Sequence, residues 1–343
     1  MRELTFVGPG QVEWHEVPEP TLQGDGEALV RPIAVATCDL DAAIVRGLSP
    51  FPPPFALGHE FAAEVLEVGA AVARIRPGDR IVASFQPCCG SCAFCVRGLT
   101  ANCLSVARTS MYGVGAAGGN WGGALSDLVR VPFADHMLVE IPAGISPGKA
   151  ASAGDNVADG WRAVAPQLRQ RPRAPVLILS GGLGGSIPLY AAALAVRLGA
   201  ERVDFFDREP ARLDIARKVG ANPSPIETWP NRLGSYPITV DSSWDPEGLA
   251  CALRSTEPGG FCTSTSIYFG GSVPVPLTEM YMKGVTFGTG RVHSRTILPE
   301  ILRLIETGQF DPDAIRTETA SWGEAPEALL EYTVKLVVVR EAT

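Results

Sequence analysis

Short apolar runs separated by glycine and proline dominate the first third of the chain. Ala28–Val35, Glu64–Val68 and Arg80–Ser84 are rich in β-type residues, and the turn sequence Arg76-Pro-Gly-Asp79 precedes the last of them. This spacing predicts a barrel-like β domain. From about Ala150 the pattern changes. Pro175-Val-Leu-Ile-Leu179 reads as a short buried strand, followed by a glycine-rich turn and a helical stretch to Leu198. A second strand over Arg202–Phe206 and a helix over Glu209–Val219, closed by Gly220, repeat the unit. Strand–helix–strand–helix begins a doubly wound parallel sheet. Ile238–Asp241 and Gly260–Thr263 fit later strands, and the pattern ends near Gly284–Gly290. The tail adds a helix over Leu298–Thr307 and a β-rich end over Val334–Arg340. The fold class is α/β with a β-barrel.

Composition changes the picture only by exclusion. The 343 residues suit two domains, and 46% hydrophobic against 19% charged residues describes a globular chain with ample core material. A formal charge of −8 offers no basic footprint for nucleic acid or an anionic membrane. The first ten residues carry no signal-peptide pattern, and Ile187–Leu198, the most apolar stretch, is interrupted by Arg197. The expected location is therefore cytoplasmic. In that reducing compartment, crowded cysteines favour metal ligation over disulfides.

The chemistry-bearing residues fall in three groups. Cys89-x2-Cys92-x2-Cys95-x7-Cys103 offers four thiolates on one short loop, a set suited to a closed tetrahedral zinc that replaces a core the loop cannot build. A rubredoxin-like iron is the chemical rival, but it normally uses two separated CxxC pairs. Cys88, adjacent to Cys89, points its Cβ the other way and is left out. The second group is Cys38, in Thr37-Cys-Asp-Leu-Asp41, with His59, in Gly58-His-Glu60, and Asp155 as a third ligand. Three such ligands leave a fourth position open, as a catalytic zinc requires. The third group is the loop containing Gly181, Gly182, Gly184 and Gly185, set between a strand and a helix where a pyrophosphate can approach the backbone. Pro188 replaces the last glycine of the usual GxGxxG pattern, at a position where a first helical turn tolerates it. Asp207 ends the next strand, placed to accept hydrogen bonds from an adenosine ribose diol.

Taken in order, these features resemble the zinc-dependent medium-chain dehydrogenase/reductase family, of the alcohol dehydrogenase type. The resemblance runs along essentially the whole chain and includes Gly58-His-Glu-Phe61 with Val65 and Val68-Gly69, Pro77-Gly-Asp-Arg80, the Cys89–Cys103 lobe, and Asp207 with Arg208 and Arg212. It implies a GroES-like catalytic domain at 1–150 with a structural-zinc lobe at 88–104. A Rossmann NAD-binding domain would be inserted at 151–287, and 288–343 would return to the catalytic domain. It also implies that Glu60 lies behind the metal, that Asp41 orients His59, that Asp159 and Ile187 flank the nicotinamide, and that Lys335 lies near the pyrophosphate. Phe85, Tyr112 and Trp121 would wall a pocket in a cleft between the domains. The assembly implied is a homodimer or homotetramer. One departure stands out: where the family commonly has a serine or threonine two residues after the first cysteine ligand, to relay the substrate proton, this chain has Leu40, and Ala43 stands two residues past Asp41.

The expectation is hydride transfer between an alcohol or carbonyl substrate and NAD, with NADP the lesser partner and two Zn2+ per chain. Two alternatives stay open: a different redox step on a larger specialised metabolite, or a catalytically silent nucleotide-binding relative.

Overall fold

The computed structural model describes residues 1–341. The chain forms two compact units, one of Met1–Ala158 with the segment from Val292 onward, the other of Asp159–Arg291. Among the described residues no helix is long and apolar enough to cross a membrane.

The first unit is built on a seven-stranded sheet. Its path runs Glu318–Ser321, Leu336–Val339, Ala28–Ala36, Glu60–Val68, Arg80–Ala83, Leu138–Glu140, with Val129–Val131 also pairing Ala28–Ala36. A small sheet of Gln11–Glu16, Arg2–Gly8 and Phe55–Ala56 accompanies it. Buried Leu4, Phe6, Val30, Phe61, Val65, Ile81 and Met137 supply the core. Two registers matter for function. Ala36 pairs with Glu60 in the antiparallel ladder, and Val337 pairs with Ala36 on the other side. Cys38 leaves one strand, His59 enters the next, and Lys335 enters the third, so all three meet at one end of the sheet.

The second unit is a six-stranded, all-parallel sheet. Its order is Asn222–Pro225, Val203–Asp207, Val176–Ser180, Tyr236–Ser242, Thr256–Ser264, Thr286–Gly288. Every residue of Val176–Ser180 is buried, as a central parallel strand requires. The order reverses between Val176–Ser180 and Tyr236–Ser242, the topological switch point of an open α/β sheet. The strand Asn222–Pro225, with two prolines, escapes a pattern search. It is tolerated because it lies at the sheet edge, where missing N–H donors cost little. The helix Asn156–Gln170 carries Pro166 within it, which interrupts its sequence signature.

Candidate active site and metal centres

Cys38 caps the helix Asp39–Val45. Its thiol accepts the Leu40 N–H (3.5 Å) and its own N–H donates to Asp41 Oδ2 (2.7 Å). Asp41 Oδ1 lies 3.6 Å from His59 Nδ1, and His59 Nε2 lies 3.2 Å from Asp155 Oδ2. Asp155 comes from a short 3-10 turn, Ala151–Gly154, that lies against the sheet end. Gly154 is needed there, since a Cβ would fall 2.8 Å from the Ala83 carbonyl oxygen. The ligand atoms of Cys38, His59 and Asp155 all lie within 4.8 Å of one another, and all three residues are buried.

The charge in this cluster is unbalanced. Burial pushes the Cys38 thiol well up, aided by Asp155 and the neighbouring acids. Burial also raises Glu60 to about 8 although Lys335 opposes it. For His59, burial pulls down but Asp41 and Asp155 win and raise it to about 9. Asp41 and Asp155 thus gather around His59, and Glu60 around Lys335. A dication held between the three ligands would balance the acids around them. Two tetrahedral ligands with bonds near 2.0–2.1 Å stand roughly 3.3 Å apart, close to the His59–Asp155 separation. The residues fit a zinc ion.

The second cluster is Cys89, Cys92, Cys95 and Cys103, again with ligand atoms within 4.8 Å of one another. Backbone N–H groups already aim at these sulfurs: Cys89 at Cys103 Sγ (3.3 Å), Cys92 at Cys89 Sγ (3.3 Å), Leu104 at Cys92 Sγ (3.4 Å) and Ser105 at Cys103 Sγ (3.4 Å). Such donors favour thiolate. Burial pushes Cys89 up, but hydrogen bonds from Ser105, Ser91 and Cys92 outweigh it and bring the thiol to about 5. This is the donor chemistry of a zinc tetrathiolate. Cys88 is fully buried, and burial pushes it up to about 12, outside the ligand set.

In the second unit, the glycine-rich loop follows Val176–Ser180, with Gly184 (φ 74°) and Gly185 (φ 85°) in the left-handed region that opens the helix Ser186–Arg197. Ile187 sits buried in that helix's first turn. Asp207 is fully buried, paired with Arg212 Nη2 (2.9 Å) and accepting the Glu209 N–H (2.8 Å). Arg212 donates to the carbonyls of Gly182 (2.6 Å) and Gly184 (3.4 Å). Arg208 pairs with Asp245 (3.3 Å). Asp159, on the helix Asn156–Gln170, is buried and ion-paired to Arg162.

Residues 24–143 match the family model described as the alcohol dehydrogenase GroES-like domain. The chain is 29% identical to a "Probable zinc-binding alcohol dehydrogenase" of Mycobacterium tuberculosis, over 95% of this chain and 83% of the relative. The alcohol dehydrogenase TADH from Thermus sp. ATN1 superposes with a TM-score of 0.89 at 28% identity, covering 99% of this chain and all of that one (100%). A "Medium chain reductase/dehydrogenase" of an Acremonium species is 31% identical over 65% of this chain and 75% of its own length. The chain belongs to the zinc-dependent medium-chain dehydrogenase/reductase family.

As a zinc-type dehydrogenase it is an oxidoreductase with a GroES-like domain and a Rossmann-like sheet. Several expected positions read differently in three dimensions. Lys335 does not lie open to a pyrophosphate: it is fully buried, and its ammonium donates to Glu60 Oε2 (2.5 Å) and to the Thr37 carbonyl. The physical reason is the register of Leu336–Val339, which threads Lys335 in beneath the metal cluster. Glu60 in turn accepts the Asn156 N–H at 2.7 Å, a partner that no sequence signal marks. Of the three aromatic residues, Phe85 lies beside His59 (ring centroids 5.6 Å apart). Tyr112 is a core residue, packed edge-on to Phe61 with its hydroxyl on the Arg130 carbonyl. Trp121 lines a separate surface groove with Met1, Glu3 and Arg130. Leu40 is buried in the first turn after Cys38.

Proposed function

We propose that this dehydrogenase interconverts an alcohol and an aldehyde or ketone by hydride transfer with NAD, using zinc held by Cys38, His59 and Asp155. The observation that carries this reading is the buried convergence of those three donors in a chain that also has a glycine-rich loop at a sheet switch point. Bound there, zinc supplies Lewis-acid polarisation of a substrate oxygen. The chain's own residues do the rest. Asp41 faces His59 Nδ1 and fixes the ring's orientation, so that Nε2 is the ligating atom. Lys335 neutralises Glu60 behind the ligands. A second zinc, held by Cys89, Cys92, Cys95 and Cys103, is structural.

The nucleotide role rests on Gly181, Gly182, Gly184, Gly185, Ile187, Asp159, Asp207, Arg208 and Arg212. NAD is favoured over NADP because Asp207 would repel a 2′-phosphate, and because the two nearby arginines are already paired, Arg212 with Asp207 and Arg208 with Asp245. A homo-oligomer is supported by the second unit. Leu277 (67%), Tyr281 (82%) and Met282 (76%) are exposed on one helix, beside the edge strand Thr286–Gly288. Turnover of an alcohol, aldehyde and ketone panel, followed at the nicotinamide absorbance band, tests the reading. Dinucleotide binding with no absorbance change across the panel would leave a silent binding protein. Specificity constants favouring NADP would reverse the cofactor assignment.

A further inference from the structure

The strands Ala28–Ala36, Glu60–Val68 and Leu336–Val339 carry the metal-ligand cluster at one end and a row of charges towards the other. Arg31 pairs in register with Glu64, and Glu64 with Arg80 on the next strand. Directly paired residues share one face of a sheet, so Glu64 stands between two guanidinium groups. It holds only one of them: Arg31 Nη2 donates to Glu64 Oε2 (2.7 Å). Among the described residues no acid pairs with Arg80, and the buried Nε of Arg31 finds no acceptor. Arg340 is delivered to the same place because its N–H donates to the Ile33 carbonyl (3.0 Å). Its guanidinium is held by the Pro32 carbonyl (3.1 Å), the Ser126 carbonyl (3.1 Å) and Asp127 Oδ1 (3.2 Å), and lies 3.9 Å from the centre of the Trp322 ring.

These residues line two adjoining grooves. Arg31, Glu64, Arg80, Arg316 and Arg340 line one of about 400 Å³, and Arg31 and Arg340 are shared with a second of about 350 Å³ that Arg2 and Trp322 complete. Arg316 pairs with Asp313 (3.2 Å), and Arg2 has its guanidinium over the Trp14 ring (5.4 Å) with no acid paired to it among the described residues. Three of the five arginines therefore have an acid, while Arg2 and Arg80 do not, and Glu341 is the remaining acid on the walls. The grooves thus gather cationic charge on a chain whose net charge is −8. Burial and the nearby Arg31 and Arg2 hold the Arg340 guanidinium below its ordinary value, although Asp127 opposes them. Glu64 lies four residues along its strand from Glu60, about 13 Å, so this surface is separate from the metal-ligand cluster.

We infer that the double groove is a binding site for a small organic polyanion, with phosphate or carboxylate groups held by Arg80, Arg31 and Arg2. The guanidinium fork matches both of those oxyanions. Arg31 and Arg80 lie two strands apart, roughly 10 Å at the backbone, so one anionic group cannot fill the row and a ligand with two or more can. Ile33, Pro147 and Val339 on the same walls give the carbon skeleton between those groups an apolar surface to rest on. Arg340, fixed by its three hydrogen bonds and the Trp322 ring, supplies a charge that is already in place before the ligand arrives.

The test is calorimetric titration of the full-length protein with inorganic phosphate, fructose 1,6-bisphosphate and citrate, each with and without saturating NADH. At least one of the two polyanions should bind more tightly than phosphate, and NADH should not displace it. Whichever polyanion binds more tightly tells a phosphate ester from a polycarboxylate as the source of the anionic groups. Arg80→Ser, at an exposed position with no acid to strand, should keep the fold and weaken the polyanion about tenfold. Arg217→Ser removes the same charge from an exposed helix of the second unit and should leave binding unchanged. No binding of either polyanion at millimolar concentration overturns the inference. So does binding that NADH abolishes, which would belong to the glycine-rich loop. Binding that Arg80→Ser leaves intact, or that Arg217→Ser weakens equally, overturns it as well.

Discussion

Lys335→Met isolates the buried ion pair behind the ligand cluster. Lys335 and Glu60 are both 0% exposed, with Nζ 2.5 Å from Oε2. At an effective dielectric of about 20 their gross attraction is about 7 kcal/mol, most of it offset by desolvation. Removing one partner strands the other, which typically costs about 3–5 kcal/mol. The Asn156 N–H alone cannot compensate a carboxylate that burial already pushes up to about 8. For a unit of this size, that corresponds to a fall in Tm of about 6–20 °C. Glu60→Gln should cost a comparable amount. The double variant, which removes both charges, should be less destabilised than either single variant, giving a coupling energy of more than about 3 kcal/mol in a double-mutant cycle. Differential scanning calorimetry on chelator-treated and zinc-replete protein measures this, and the zinc-replete penalty should be smaller because the dication faces the stranded carboxylate. NADH affinity should change little. A Lys335→Met variant with the wild-type Tm and NADH binding weakened tenfold or more would refute the buried-pair assignment and restore a pyrophosphate contact.

Elemental analysis of protein purified without chelator should give two zinc ions per chain; one or none counts against the paired assignment. Cys92→Ser or Cys95→Ser should lose folding or solubility, because a structural metal contributes folding free energy directly. His59→Ala should keep the circular dichroism of the wild type and lose activity, and equal collapse of all three variants would erase the distinction between the sites. Leu40 stands in the first turn after Cys38, so the wild type should turn over ethanol poorly, general acid–base help being worth about 10²–10⁴ in rate. Leu40→Ser should raise activity on small alcohols, and a variant altered only in size preference, with the same pH profile, removes the relay argument. Gly185→Ala would place a Cβ 2.4 Å from Arg212 Cδ at φ 85°; since Arg212 is anchored on Asp207 and two loop carbonyls, NADH Kd should rise at least several-fold, and unchanged binding would show the loop is slack.

Much of this was legible in the chain itself, wherever chemistry is local. Four cysteines within one loop determine their own meeting, since so short a segment cannot keep them apart. The all-apolar run Val176–Leu179 followed by glycines needs little context to be a central parallel strand entering a turn, and the cysteine, histidine and aspartate ligand types limit what could bind. Tertiary structure decided what depends on register and burial. Pairing Ala36 with Glu60 brings Cys38 to His59, and the Leu336–Val339 strand sets Lys335, expected near the pyrophosphate, as the buried partner of Glu60. Asn222–Pro225 is a strand only because an edge position forgives its prolines. Sequence lists the donors and their local spacing, but long-range pairing fixes which of them share a low-dielectric interior, and charges there must find partners that the chain order does not reveal.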